Sequence, residues 1–214
     1  MLTIAHRGAS AVRPENTLSA FREAVRVGAD LIELDVRLSR DGEVVVFHDQ
    51  YLDRTTDGQG PVVDYALSEL KKFDAGFWFS PRYRNERIPT LAETIREIAP
   101  TKTDLYIEIK IDKGGEAKCS ELIAGTLDIL KSENFLSRAF IASFDIRVPH
   151  LVKQISPETV TGLIFRDEDV WSDKNRSASE NIDILCSRWN IITADRVRTA
   201  RKRGKQVFAW TVDR

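Results

Sequence analysis

Short apolar runs alternate with longer amphipathic segments along most of the chain. The apolar runs have the length of β-strands and read, in order, LTIAH, LIELDV, DLYIEIK, AFIASF, TVTGLIF, IDILCS and QVFAWTV. After the first run, Leu18, Phe21 and Val25 recur at helical spacing, with Asn16 as the expected N-cap. Strands that alternate with helices form parallel sheets, so the chain is expected to have an α/β fold, a TIM-type (β/α)8 barrel.

One stretch interrupts this alternation. Residues 49–89 are rich in glycine, aromatic and charged residues, with one short helical pattern near residues 66–73. We interpret residues 1–214 as a single barrel domain and residues 49–89 as an insertion lobe within it, placed after the second strand. Loops that follow barrel strands lie at the carboxyl end of the barrel, where the active sites of this fold are found.

The second strand, LIELDVRL, carries charge on one face. Because side chains of a strand alternate between two faces, Glu33, Asp35 and Arg37 share a face. The Asp-Gly pair at 41–42 predicts a hairpin with a two-residue turn. Counting outward from that turn places Asp35 opposite His48 on the returning strand. The alternative is an ordinary hairpin whose polar face is exposed to solvent.

The third strand repeats this arrangement, since Glu108 and Lys110 share one face of YIEIK. Glu33, Asp35 and Glu108 are therefore expected to meet near the carboxyl ends of two neighbouring strands. Buried acids without a partner are costly. A ligand set of carboxylates favours one divalent cation, Mg²⁺ or Ca²⁺, with Mn²⁺ also suitable. The alternative is that Arg37 and Lys110 neutralise the acids as buried ion pairs.

The chain has three histidines, and two of them fall near this predicted metal site. His6 ends the first strand in the motif AHRG, and His48 follows the hairpin. A pair of histidines beside a metal suits cleavage of a phosphate ester, in which one accepts a proton and the other donates one. Arg7 and Lys110 supply positive charge for the phosphate. His150 lies in a helical pattern and is interpreted as structural.

Composition narrows the range of functions. The net charge is −1 with 30% charged residues, so no basic field indicates a nucleic-acid partner. No apolar run reaches the roughly 18 residues of a membrane span and no signal peptide is visible, so we expect no stable membrane insertion. Cys119 and Cys186 lack metal or redox spacing and indicate a reducing, cytoplasmic location. The expected partner is a small-molecule substrate.

Several motifs in a fixed order resemble those of the glycerophosphodiester phosphodiesterase family. They extend from Leu2 to the last residues and read HRGAS, PENTLSAF, ELDVRLSRDGEVVVFHD, RTTDGQG, IPTL, YIEIK and FAWTV. The resemblance implies a TIM barrel with a small insertion lobe, a divalent metal, and hydrolysis of glycerophosphodiesters to an alcohol and glycerol 3-phosphate. A lysophospholipase D-type activity and a non-catalytic phosphate-binding barrel are the alternatives.

The resemblance also implies roles for individual residues. The positions that match the family's functional motifs are, for the metal, Glu33, Asp35 and Glu108; for acid–base catalysis, His6 and His48; and for the substrate, Arg7, Lys110 and Trp210. Packing in the barrel core is the alternative interpretation of Trp210. Family members usually continue past A-W-T-V with one more helix and strand, whereas this sequence stops at Arg214. We therefore expect seven parallel strands, in a truncated chain or one whose final element is not represented.

Overall fold

The structure, a computed structural model, describes residues 1–111, 116–171 and 180–212. The chain divides into two compact units, Met1–Ala139 and Phe140–Arg214. Each unit is built around parallel strands connected by helices or loops.

The first unit contains four strands and four α-helices among its described residues. Its strands are β1 (Ile4–His6), β2 (Leu31–Leu38), β3 (Val44–Val46) and β4 (Asp104–Ile109). Its helices are α1 (Leu18–Arg26), α2 (Leu67–Leu70), α3 (Leu91–Ile98) and α4 (Glu116–Ser132). β2 pairs in parallel with β1 on one side and β4 on the other, and β3 adds to β2 in the antiparallel direction. All eight residues of β2 are buried, so its charged side chains are enclosed.

The second unit has a simpler parallel arrangement. Its strands are β5 (Ala139–Ser143), which begins at the unit boundary, β6 (Val160–Phe165), β7 (Ile184–Arg188) and β8 (Gln206–Trp210). Its α-helices are α5 (Arg147–Ile155) and α6 (Ala194–Lys202). The strands pair in parallel in chain order. Together with β1, β2 and β4, the described residues contain seven parallel strands, which confirms the expected number.

The hairpin of β2 and β3 has a different register from the predicted one. The observed pairs are Val36–Val46, Arg37–Val45 and Leu38–Val44. They differ by one residue from the register that places Asp35 opposite His48, so that prediction is wrong. The loop has three residues, 40–42, and ends on Gly42 at a φ of +81°. A three-residue loop with a left-handed final residue is a common alternative to the two-residue turn, and His48 lies beyond the end of β3.

The first helix also begins differently. Thr17, not Asn16, is the N-cap of α1, and its hydroxyl oxygen accepts the Ala20 N–H at 3.3 Å. The predicted cap at Asn16 is therefore wrong, because its side chain is used elsewhere. At the start of α3, Thr90 and Glu93 form a capping box.

Residues 49–89 contain little regular structure. They include α2 and three short 3₁₀ helices, Leu52–Arg54, Val62–Asp64 and Pro81–Tyr83. Apolar residues of this segment pack with β3 and its neighbour in a cluster of Val45, Phe47, Leu52, Val62, Leu70, Ala75 and Ile88. The helical pattern predicted for residues 66–73 shortens to the single turn of α2. The single domain and the insertion lobe stay predictions.

Candidate active site

Parallel pairing of β2 with β4 brings three carboxylates together. The register places Asp35 beside Glu108, and Glu33 lies two residues earlier on the same strand face as Asp35. Oxygen atoms of the three side chains all lie within 4.8 Å of one another. Glu33 and Glu108 are each 7% exposed and Asp35 is 0% exposed, so water does little to offset their charge. The acidic cluster predicted from the sequence is confirmed.

Two cationic side chains border this cluster. Lys110 Nζ lies 2.5 Å from Glu108 Oε1 and 3.0 Å from Asp35 Oδ1. Arg7 Nε lies 3.5 Å from Asp35 Oδ2. Burial lowers the pKa of Lys110, but the carboxylates of Asp35 and Glu108 outweigh it and raise that pKa overall. Lys110 therefore pairs with the acids, as one alternative interpretation of the sequence proposed.

The carboxyl pKa values show that these two cations do not offset three buried acids. Burial, followed by repulsion from Asp35 and Glu108, raises the pKa of Glu33 well above its ordinary value. Burial and the charge of Asp35 raise the pKa of Glu108 to about 7. The pKa of Asp35 is lowered despite its burial, because nearby Lys110, among other groups, favours its charged form. Buried carboxylate oxygens with unbalanced negative charge fit a hard divalent cation, so these residues could hold one.

Asn16 supports Asp35 from the loop before α1. Its side-chain nitrogen donates to Asp35 Oδ2 at 2.8 Å, and its side-chain oxygen accepts the Asp35 N–H at 3.4 Å. The backbone φ of Asn16 is +55°, a left-handed conformation that Asn tolerates better than most residues. Sequence reasoning missed this contact because Asn is also a common helix cap.

The turn after β1 directs both backbone and side chains toward the acids. The backbone N–H of Arg7, whose φ is +57°, donates to Glu33 Oε2 at 2.8 Å. At Gly8, with φ +80°, a Cβ would lie 2.8 Å from the backbone of Ala20, so glycine permits this close approach to α1. His6 Nε2 lies 3.9 Å from Glu33 Oε2. Burial, together with the charge of Arg7, lowers the pKa of His6.

His48 is held through both its backbone and its ring. Arg37 donates from Nε and Nη2 to the His48 carbonyl oxygen at 3.0 and 2.8 Å. Arg37 therefore anchors His48, whereas the sequence alternative assigned it to neutralising the acids. The ring atom Nδ1 lies 2.5 Å from Asp49 Oδ1. Burial outweighs the effect of Asp35 and lowers the pKa of His48, so the neutral ring predominates near pH 7.

The last predicted substrate residue belongs to the second unit. Trp210 ends β8, and its ring packs edge-on against Phe144 with centroids 5.6 Å apart. The guanidinium of Arg188 lies 5.6 Å from the centroid of the Trp210 ring. His150, interpreted from the sequence as structural, lies on α5 of the same unit. The predicted catalytic and metal residues, with Arg7 and Lys110, all lie in the first unit.

Comparison with known proteins places this arrangement in a family. The sequence profile of the glycerophosphoryl diester phosphodiesterase family matches residues 6–214. The chain belongs to this family. A member from Caldanaerobacter subterraneus subsp. tengcongensis, a glycerophosphodiester phosphodiesterase, is 39% identical over 213 residues, which span 100% of this chain and 86% of that protein. The chain is therefore an enzyme of the phosphoric diester hydrolase class.

Solved structures of the phosphodiesterase family confirm the expected TIM-barrel fold class. The phosphodiesterase of Oleispira antarctica, in complex with the product sn-glycerol-3-phosphate, matches with a TM-score of 0.91 and 32% identity over 100% of this chain and 85% of that one. The glycerophosphodiester phosphodiesterase of Agrobacterium tumefaciens matches with a TM-score of 0.82 and 30% identity over 97% of this chain and 85% of that one. None of the helices in the described ranges is both long and apolar enough to cross a membrane.

Proposed function

We propose that this enzyme is a metal-dependent glycerophosphodiester phosphodiesterase, which hydrolyses glycerophosphodiesters to an alcohol and glycerol 3-phosphate. The observation that carries the proposal is the buried cluster of Glu33, Asp35 and Glu108, with His6 and His48 in the same compact unit, in a phosphodiesterase family member. The Oleispira antarctica relative in complex with sn-glycerol-3-phosphate supports the assignment of the product. The partner is thus a small-molecule substrate.

The three carboxylates would hold one divalent cation, Mg²⁺ or Ca²⁺, with Mn²⁺ as a further candidate. When bound, such an ion stabilises negative charge on a phosphoryl oxygen. Asn16 and Lys110 keep Asp35 in place, and Lys110 also holds Glu108. The backbone N–H of Arg7 does the same for Glu33.

His6 and His48 form the acid–base pair. One accepts the proton of the attacking hydroxyl group while the other donates a proton to the departing alkoxide, so the protons balance over one turnover. The ring of His48 is oriented through Nδ1 by Asp49, which leaves Nε2 to exchange the proton. His6 lies beside Glu33, because the two residues are register partners in the parallel pairing of β1 with β2.

Arg7 and Lys110 are the proposed phosphate-binding cations. Both lie beside Asp35, so they add positive charge where a phosphate oxygen meets the carboxylate cluster. Trp210 is proposed to line the substrate pocket, a role that rests on the family resemblance. A single domain with an insertion lobe at residues 49–89 is also part of the proposal. A cytoplasmic location is proposed as well, and the buried thiols of Cys119 and Cys186 support it.

A product-release assay tests this function. The protein, supplied with Mg²⁺ or Ca²⁺, is incubated with glycerophosphodiesters that carry several different head groups. Release of glycerol 3-phosphate is measured with and without chelator. We expect release that stops in chelator and returns with Mg²⁺ or Ca²⁺, and none from a Glu108→Gln variant. Absence of glycerol 3-phosphate with every head group and every metal contradicts the proposal.

The lysophospholipase D-type activity remains a second candidate because of one surface feature. Phe77 and Trp78, in the segment after α2, are 45% and 39% exposed and present an apolar surface to solvent. Lysophospholipids included in the same assay separate the two activities. Faster release from lysophospholipids than from deacylated diesters, lost in a Phe77→Ser/Trp78→Ser variant, favours this second function.

A further inference from the structure

A continuous series of ion pairs joins His48 to Arg7. Asp49 contacts His48 Nδ1 through Oδ1 and Arg54 Nε through Oδ2, each at 2.5 Å. The two terminal nitrogens of Arg54 reach Glu15, Nη2 to Oε1 at 2.7 Å and Nη1 to Oε2 at 3.0 Å. Glu15 Oε1 in turn lies 2.9 Å from Arg7 Nη1. The proposed acid–base residue and the proposed phosphate-binding residue are thus connected by three side chains, none of which is proposed to touch the metal or the substrate.

These side chains come from three separate parts of the first unit. Glu15 lies in the loop before α1, Asp49 directly follows His48, and Arg54 ends the first 3₁₀ helix of residues 49–89. Arg54 therefore connects the segment after the hairpin to the loop before α1. A guanidinium that meets one carboxylate with a planar pair of nitrogens and another with Nε has little freedom to move.

The series is partly buried, which distinguishes it from ordinary surface ion pairs. The side chain of Glu15 is 14% exposed and that of Arg7 is 18% exposed, whereas Arg54 is 45% exposed. Isolated exposed pairs contribute little, but here each carboxylate is shared by two partners and each partner is itself constrained. Removing one member frees its neighbours on both sides.

The contact to His48 has a direct chemical consequence. A carboxylate at Nδ1 favours the neutral tautomer that carries its proton on Nδ1, which leaves the lone pair on Nε2. It also stabilises the imidazolium that forms when Nε2 takes up a proton. Arg37 already fixes the backbone of His48, so Asp49 is the group that fixes its ring.

We propose that Asp49, Arg54 and Glu15 are positioning residues, which hold the ring of His48 and the guanidinium of Arg7 in a single fixed arrangement. The assignment rests on the proposed function of His48 and Arg7. Arg54 is the central member, because it contacts the carboxylates of both Asp49 and Glu15.

Steady-state kinetics with Mg²⁺ give the first test. Arg54→Met is expected to lower kcat by about 10–100-fold, the effect of losing a partner that orients a functional side chain. Arg54→Lys keeps the charge but cannot span both carboxylates, so it recovers part of the loss. Glu15→Gln, which keeps the shape of the side chain, is expected to lower kcat and raise KM, since it also releases Arg7. A folded Arg54→Met enzyme with wild-type kcat overturns the proposal.

A matched control is available in the same unit. Arg22 makes a similar two-point contact with Glu97, with distances of 2.7 and 2.8 Å, on the exposed surfaces of α1 and α3. Arg22→Met is expected to leave kcat within about twofold of wild type, since an exposed pair of this kind contributes little. A loss in Arg22→Met equal to that in Arg54→Met would show a general effect of removing arginine, and would also overturn the proposal.

Nitrogen NMR of the histidine rings provides a readout that is independent of turnover. The chain has three histidines, so ¹⁵N-histidine labelling of the Mg²⁺-loaded protein yields few signals, and His48→Asn assigns the one of interest. We expect neutral His48 to carry its proton on Nδ1 in the wild type, and a mixture of tautomers in Arg54→Met and Asp49→Asn. Unchanged His48 signals in both variants overturn the proposal. If the wild type released no glycerol 3-phosphate, the proposed function would fail while this measurement still tested the ion-pair series.

Discussion

Two lysines that are largely shielded from solvent, one in each unit, have different partners. Lys110 follows β4, and its amine contacts the carboxylates of Asp35 and Glu108. Lys205 precedes β8, is 8% exposed, and donates to the backbone carbonyl oxygens of Glu180 and Ile182 at 3.0 and 2.6 Å. The pKa of Lys110 is raised because its two carboxylates outweigh burial, whereas burial lowers the pKa of Lys205.

The comparison teaches that the partners of a buried charge, more than its burial, indicate its function. The Lys205 amine donates to two neutral carbonyl oxygens, and the charges of Asp183 and Glu180 raise its pKa by less than burial lowers it. The contact therefore supports the chain before β7. The three acids around Lys110 outnumber the cations beside them, so they could hold a further cation. The position along the strand agrees, since conserved chemistry in this fold lies at the carboxyl ends of strands and stabilising contacts lie at the amino ends.

Removal of divalent metal is the largest expected effect. The metal-stripped enzyme should lose turnover, because the three acids then have no cation to stabilise negative charge on the phosphoryl oxygen. Readdition of Mg²⁺ or Ca²⁺ should restore it. The measurement is glycerol 3-phosphate release before and after exhaustive dialysis against chelator. Full activity in excess chelator would contradict the proposal that the acids around Lys110 hold a cation needed for turnover.

Loss of either histidine of the proposed acid–base pair is expected to be nearly as severe. His6→Ala and His48→Ala should each lower kcat by about 10²–10⁴-fold, the usual contribution of a positioned acid or base. The double variant should lose less than the product of the two, because the residues act together. His150→Ala on α5 is the control and should change kcat little. A near-normal rate in either single variant would refute the assignment.

Exchanging Lys110 and Lys205 for methionine, one at a time, tests the comparison itself. Lys110→Met should abolish most of the activity, since it removes positive charge from both Asp35 and Glu108. Lys205→Met should instead lower the free energy of unfolding by about 1–3 kcal/mol, because two carbonyl oxygens lose their donor, and leave kcat unchanged. Urea unfolding and product release, measured on both variants, separate the effects. Similar losses of activity in the two variants would contradict the distinction.

The sequence predicted the elements and the acidic cluster better than it predicted how the cluster is supported. Strand alternation was enough to place Glu33, Asp35 and Glu108 together, since period-two patterns survive small errors in strand ends. The hairpin register was wrong because Asp-Gly suits both two- and three-residue loops, and one residue reverses every side chain. Glu15 and Arg54, 39 residues apart, meet only in the folded chain, so no local pattern marks them.

The acidic cluster should also make the stability of the metal-free protein depend on pH. The pKa of Glu108 is about 7 in the folded chain and near 4.5 when unfolded. Between these two pH values the Glu108 carboxyl is ionised in the unfolded chain but protonated in the folded one. The free energy of unfolding therefore falls as the pH rises from about 4.5 to 7. Thermal unfolding in chelator should show this fall, reduced in Glu108→Gln and with saturating Mg²⁺. The same pH dependence of stability in Glu108→Gln as in the wild type would contradict this role of Glu108.

Calorimetric titration of Mg²⁺ and Ca²⁺ into the metal-stripped protein tests the proposed cation site most directly. We expect one ion per chain in the wild type and a loss of affinity of at least about tenfold in Glu33→Gln and Glu108→Gln, since each removes a charged ligand. Lys205→Met should bind the ion as the wild type does. Absence of binding in the wild type, or equal affinity in the two glutamine variants, would show that Glu33, Asp35 and Glu108 do not form the cation site.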